Sequence, residues 1–137
     1  MSQSIVGAVA NIQAKALSLT GILAAPANPP EGSGVLPFSV CYPRSGELES
    51  GSAGWGNGLH TLVCELHFSR VNLPAAVATA TPFIESFMAK LANDPTLGGT
   101  VSTVRNNIRY TFGKLEWGTD ENIGIQFEID IKISQTF

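Results

Sequence analysis

The sequence predicts an α+β fold: a mainly antiparallel sheet of four strands, or slightly more, packed against two helices. Ile123, Ile125, Phe127, Ile129, Ile131 and Ile133 alternate without a break with polar residues or glycine. That period of two belongs to a strand with one buried face. Residues 3–23 and 73–92 instead repeat apolar side chains at steps of three and four, the spacing of an amphipathic helix. The order is helix, strand, strand, helix, strand, strand, and 137 residues suit a single domain spanning 1–137.

The first helix is placed by Ile5, Val9, Ile12, Ala16, Leu19 and Leu23, with Ser2 or Ser4 as its cap. "AAPANPPEGSG" (24–34) breaks it with three prolines and two glycines. "VLPFSVCY" (35–42) reads as a short strand with Pro37 near its start, where a missing N–H does least harm. A glycine-rich arm, 43–58, follows as a loop between strands 1 and 2. In "LHTLVCELHFS" (59–69), Leu62, Cys64, Leu66 and Phe68 share one face, and Thr61, Val63, Glu65 and His67 the other. Asn72 caps the second helix, whose apolar stripe is Leu73, Val77, Ala80, Ile84, Phe87 and Leu91. Pro82 is placed to kink it, and "NDPTLGG" (93–99) ends it. In "NIRYTFGKLEW" (107–117), Ile108, Tyr110 and Phe112 give way after Gly113 to Leu115 and Trp117. That change of parity predicts a bulge or bend at Gly113.

Composition narrows the function. Apolar residues make up 44% and charged residues 14%, against a usual charged share of about 25%. A monomer so poor in solvating groups exposes apolar surface, which favours an oligomer. The net charge of −3 argues against a nucleic-acid grip, which needs clustered cations. Arg105, Arg109 and Lys114 are the only approach to a cluster. Cys41 and Cys64 form no CxxC pair and read as buried free thiols of a reducing compartment. No basic-then-apolar leader opens the sequence, and no apolar run approaches the ~20 residues that span a bilayer. No membrane partner is expected.

Chemistry has little to stand on. The glycines of "ESGSAGWGNG" (49–58) fit neither dinucleotide nor P-loop spacing. His60 and His67 are seven apart, so one strand puts them on opposite faces, where they cannot share a metal. Glu65 and His67 share a face about 7 Å apart by strand rise. They are the one candidate acid–base pair and support the alternative of a small ligand-binding or enzymatic α+β domain. Cys64 points away from His67, a poor nucleophile geometry. No catalytic, cofactor-binding or metal-ligating residues are assigned, and no cofactor is expected.

Charge and the arm are more informative. Residues 105–114 hold only positive charges, and Glu116, Asp120, Glu121, Glu128 and Asp130 follow as a negative run. This predicts like charge gathered on one surface, facing a neighbouring subunit or a pore. The sixteen-residue arm carries Leu48 and Trp55, unusual in a spacer and suited to anchoring on a partner.

"CYPRSGELESGSAGWGNGLHTLVCELHFSRVNLPAAV", "LANDPTLGGTV", "IRYTFGKLEWG" and "IGIQFEIDIKI" together resemble the tail terminator, or tail completion, proteins of long-tailed bacteriophages. The resemblance covers about residues 38–133. Its most specific pieces are the arm leading into Gly58-Leu59-His60-Thr61 and the turn Asp94–Thr100. It implies a structural virion subunit forming a ring, usually a hexamer. Such a ring caps the tail tube, stops its polymerisation and joins it to the head connector, with double-stranded DNA passing through the lumen. A head-side neck or minor tail protein is the alternative within the class. The implied partners are sibling subunits, the tube protein and connector or neck proteins. The implied location is the head–tail junction of the virion, after assembly in the host cytoplasm. Within this reading, Leu48, Trp55, Arg105 and Arg109 are expected at subunit interfaces. Glu128, Asp130, Asp120 and Glu121 are expected to line the lumen, where acidic walls would let DNA slide.

Overall fold

A computed structural model describes residues 3–26, 30–31, 35–50 and 54–136, apart from the side chains at 50, 106, 135 and 136. Ser2, parts of the 24–34 connector and residues 51–53 of the arm lie outside the described residues.

The fold is α+β, with two helices and a four-stranded antiparallel sheet. Helix α1 runs Ile5–Leu17, and Ser4 caps it by accepting from the Gly7 N–H at 2.9 Å. It ends six residues before the predicted boundary, and Gly21 follows at φ 106°, a left-handed conformation that suits glycine. Leu19 and Ile22 still bury, from the turns beyond the helix, while Leu23 is exposed. Buried Gln13 on α1 donates to the carbonyls of Pro26 and Ser39 and accepts from the Ser39 hydroxyl. This satisfies a polar side chain that would otherwise be costly to bury.

The strands are β1 (Phe38–Ser50), β2 (Trp55–Phe68), β3 (Thr103–Trp117) and β4 (Asp120–Thr136). They lie in the order β1-β2-β4-β3, every neighbour antiparallel. Helix α2 (Leu73–Ala92) links β2 to β3 and starts at the Asn72 cap as predicted. Its assignment runs unbroken through Pro82. The buried line on α2 is Ala76, Ala80, Phe87 and Leu91. Leu73 and Val77, expected in the stripe, are exposed. Both helices lie on one face of the sheet. There Ile125, Phe127, Ile129, Ile131 and Ile133 on β4 and Leu62, Cys64 and Leu66 on β2 are fully buried. Phe87 meets Phe127 edge-on, ring centroids 4.8 Å apart. Cys41 and Cys64 are free, buried and directly opposed across β1–β2. The hydrogen bond between them and their burial raise the Cys41 thiol well above its ordinary value.

Residues 43–50 and 55–58 of the arm are strand rather than loop. Residues 45–50 pair with 56–61 in register, after a bulge between Pro43 and Ser45. The ladder continues to β4, where Trp55 opposes Thr136 and Asn57 opposes Ser134. The arm is therefore a β-hairpin extension of the sheet, held by backbone pairing rather than by a core. Gly46 leaves room there for the His60 ring: a Cβ at this position would sit 2.2 Å from the His60 Nδ1, and the ring would have to shift.

The predicted irregularity at Gly113 is also absent. Pairing runs unbroken from Tyr110–Phe127 to Trp117–Asp120, and the irregularity falls between Arg105 and Arg109. Leu115 and Trp117 change parity because the sheet's outer face holds a small second core. Trp117, beside the β3–β4 turn, lies over Tyr42 with ring centroids 5.5 Å apart. Tyr42 belongs to the strand at the opposite edge, so the end of the β3–β4 hairpin curls across the outer face. The Trp117 Nε1 donates to the Pro30 carbonyl at 2.6 Å, tying the connector to it. Phe38, Val40 and Val63 are consequently buried on the side away from the helices.

Candidate functional site

Three features of the sheet compete for a functional role: a buried polar network, a lattice of ion pairs and the hairpin tip.

The network lies in the outer-face core. Glu65 is 4% exposed and His67 fully buried. They touch, His67 Nε2 to Glu65 Oε1 at 2.8 Å, closer than strand rise alone predicts. The other Glu65 oxygen accepts from the Tyr42 hydroxyl at 2.6 Å and from Gln126 Nε2 at 2.9 Å. Asn122 Nδ2 donates to His67 Nδ1 at 3.0 Å. Burial pushes the Glu65 carboxyl up, but the hydrogen bonds from His67, Tyr42 and Gln126 outweigh it and hold it below its ordinary value. Burial, then the bond to Glu65, pushes the Tyr42 phenol well up. With Glu65 ionised, the bonding pattern assigns the proton on His67 to Nε2, leaving Nδ1 to accept from Asn122. Every polar atom of the His67 ring is thus committed within the protein. Gly124 sits opposite His67 on β4, and a Cβ there would meet the Leu66 carbonyl oxygen at 1.8 Å. Sequence reasoning found Glu65 and His67 but missed Tyr42, Asn122 and Gln126. Their polarity on the non-core parity was visible, but the registers that join them were not.

The ion pairs correct the expectation of gathered like charge. The positive run on β3 faces the negative run on β4 across the ladder, and they pair. Arg109 bonds Glu128 at 3.0 Å and Asp130 at 3.1 Å. Arg44 bonds Glu128 from β1, and the Thr61 hydroxyl donates to Asp130 at 2.7 Å. Hydrogen bonds from Arg109 and then Arg44 hold the Glu128 carboxyl below its ordinary value. Lys114 and Arg70 do the same for Glu121. Of the four residues expected at a lumen, Glu128 and Asp130 come together around Arg109. Asp120 and Glu121 lie at the opposite end of β4, and Glu121 falls on the other side-chain parity. Arg105 opposes Asp130 in the ladder and is the only arginine without a carboxylate partner among the described residues. It lines a polar hollow of about 280 Å³ at the hairpin base, with Ser45, Gly46, His60, Thr61 and Asp130. The His60 Nε2 is buried without a hydrogen-bond partner among the described residues. His60 and His67 lie on opposite faces, as their spacing predicts.

At the hairpin tip, Trp55 is 44% and Leu48 52% exposed. They occupy opposite faces of the hairpin, since Leu48 opposes Gly58 and Trp55 precedes Gly56. Glu47 and Glu49, opposite Leu59 and Asn57, share the Trp55 face. At the far end of β2, the exposed apolar residues Val71, Leu73 and Val77 surround the start of α2. Among the described residues no helix is long and apolar enough to cross a membrane, and no group of three or more His, Cys, Asp or Glu is placed to hold a metal ion.

No protein-family model matches the chain, and no curated protein matches it.

Proposed function

We propose that this chain is a structural subunit of a ring at the head–tail junction of a long-tailed bacteriophage, capping the tail tube in the manner of a tail terminator. The observation that carries the reading is the distribution of apolar surface. A chain with 14% charged residues leaves Trp55 and Leu48 exposed at one end of the sheet and Val71, Leu73 and Val77 exposed at the other. Separated apolar patches of this kind are what a subunit keeps for its neighbours. The sequence resemblance over residues 38–133 supplies the identity of the ring.

In this reading the outer-face lattice is the candidate lumen lining. Arg44 and Arg109 are held there by Glu128 and Asp130, so of the arginines on this face Arg105 alone is left to meet a passing phosphate. Tight phosphate contacts would hold the duplex through counterion release. A face of satisfied ion pairs lets it slide.

The second reading, an enzyme or small-ligand domain built on Glu65 and His67, has less support. The His67 ring is fully buried with both nitrogens engaged. A general acid–base pair must reach the proton it transfers, and both side chains of this pair are buried. The network instead fixes how the β3–β4 end lies on the sheet.

The proposal is tested in particles assembled without this chain. Tail tubes of uncontrolled length and heads lacking tails are expected. Tails of normal length joined to heads in its absence would refute it.

A further inference from the structure

The molecule carries an apolar knob and an apolar groove at opposite ends of one strand. The knob is Trp55, first residue of β2. The groove is a depression of about 300 Å³ lined by Leu36, Pro37, Phe68, Val71, Ala75 and Ala76. Phe68 is the last residue of β2. Thirteen strand steps separate them, about 40 Å at the usual rise, so Trp55 cannot reach its own groove. Trp55 of a second copy is under no such limit. The groove is at the small end of ligand-sized cavities, large enough for one indole.

Charge agrees with a second copy as the occupant. Glu49 and then Glu47 follow Trp55 along the same face of the hairpin, level with Asn57 and Leu59; both are exposed and make no ion pair among the described residues. The groove is bordered by the N-terminus of α2, whose first turn contains no acidic residue. A helix start carries partial positive charge that an incoming carboxylate complements.

We infer that Trp55 of one copy seats in the Leu36–Phe68–Val71–Ala75 groove of the next, with Glu47 and Glu49 against the start of α2. The inference rests on the ring reading and specifies how neighbours join. A knob and a groove on different surfaces make a heterologous contact, which propagates head to tail and closes into a ring when the rotation allows. Exposed Val71 is covered in this contact. Truncating an aromatic anchor at the centre of such an interface costs most of its affinity.

The test joins two singly substituted full-length chains, Glu49→Cys and Leu73→Cys, both at exposed positions that leave Trp55 and the groove intact, mixed under mild oxidation. The native thiols Cys41 and Cys64 are buried and serve as the background in unsubstituted chain. A disulfide-linked pair is expected only in the mixture, and the doubly substituted chain is expected to give a ladder of multiples. Separately, Trp55→Ser and Val71→Glu, both at exposed positions, are each expected to weaken self-association by about thirtyfold or more. Their circular dichroism is expected to match wild type. An unsubstituted chain that assembles, while the mixture forms no cross-link and both variants assemble normally, overturns this contact and leaves the ring. An unsubstituted chain that never assembles overturns both.

Discussion

Replacing Glu65 with alanine removes the acceptor for three donors: the Tyr42 hydroxyl, His67 Nε2 and Gln126 Nε2. Tyr42 and Gln126 are only part-buried, and water can take over their bonds at little cost. His67 is fully buried beneath Phe38, and its Nε2–H has no replacement. An orphaned buried donor costs about 1–3 kcal/mol, and the cavity left by the side chain adds about 1–2 more. The expected loss is about 2–5 kcal/mol, against a typical domain stability of about 5–15 kcal/mol. Glu65→Gln keeps an acceptor for His67 but turns an amide towards Tyr42 or Gln126, so about half that loss is expected. Urea unfolding followed by tryptophan fluorescence measures both. A Glu65→Ala midpoint shift equivalent to less than about 1 kcal/mol, at unchanged slope, would show that the network does not hold the outer face together.

Five further outcomes follow from the same geometry. Glu65, Asp94, Glu121 and Glu128 all have depressed carboxyls. Their stabilisation is therefore present above the unfolded values, 4.5 for the glutamates and 3.8 for Asp94, and lost as pH falls through the folded values. Tyr42 is raised from 10, so its contribution is complete below about pH 10 and lost as pH rises through its folded value; Tyr42→Phe should flatten the alkaline limb of a pH–stability profile. Gly124→Ala forces a Cβ onto the Leu66 carbonyl in the central strand pair and should cost at least about 3 kcal/mol in chemical denaturation. Phe87→Ala opens a cavity against Phe127 and should cost about 3–5 kcal/mol by the same assay. Reversing Glu128 and Asp130 to lysine frees Arg44 and Arg109, and should create salt-dependent duplex binding in anisotropy titrations and slow DNA ejection. Unchanged binding and ejection would remove these residues from the lumen.

What the sequence made legible follows from where the core is. The β4 alternation and the Asn72-capped helix were readable because burial against the helices dictates side-chain identity at each step. The hairpin 43–58 was not, because it extends beyond the core. Gly46, Gly56 and Gly58 present no apolar face, and the backbone ladder to β4 leaves no mark in composition. The outer-face core was hidden for a different reason. It forms only because the β3–β4 end curls over β1, bringing Trp117 to Tyr42, a contact between opposite edges of the sheet. Leu115 and Trp117 did announce a second apolar face, and reading them as a bulge at Gly113 mistook a change of surroundings for a change of register. The charge runs were visible, but their pairing depended on antiparallel β3–β4 registry. Of the candidate residues, Trp55 and Leu48 are exposed as an anchor requires.

The central claim is that this 14.4 kDa chain holds surface in reserve for copies of itself. Native mass spectrometry of the purified protein across a wide concentration range tests it most directly. The account predicts one closed assembly of fixed stoichiometry, giving way to single chains when Trp55 is replaced by serine. A lone 14.4 kDa species at every concentration would contradict it.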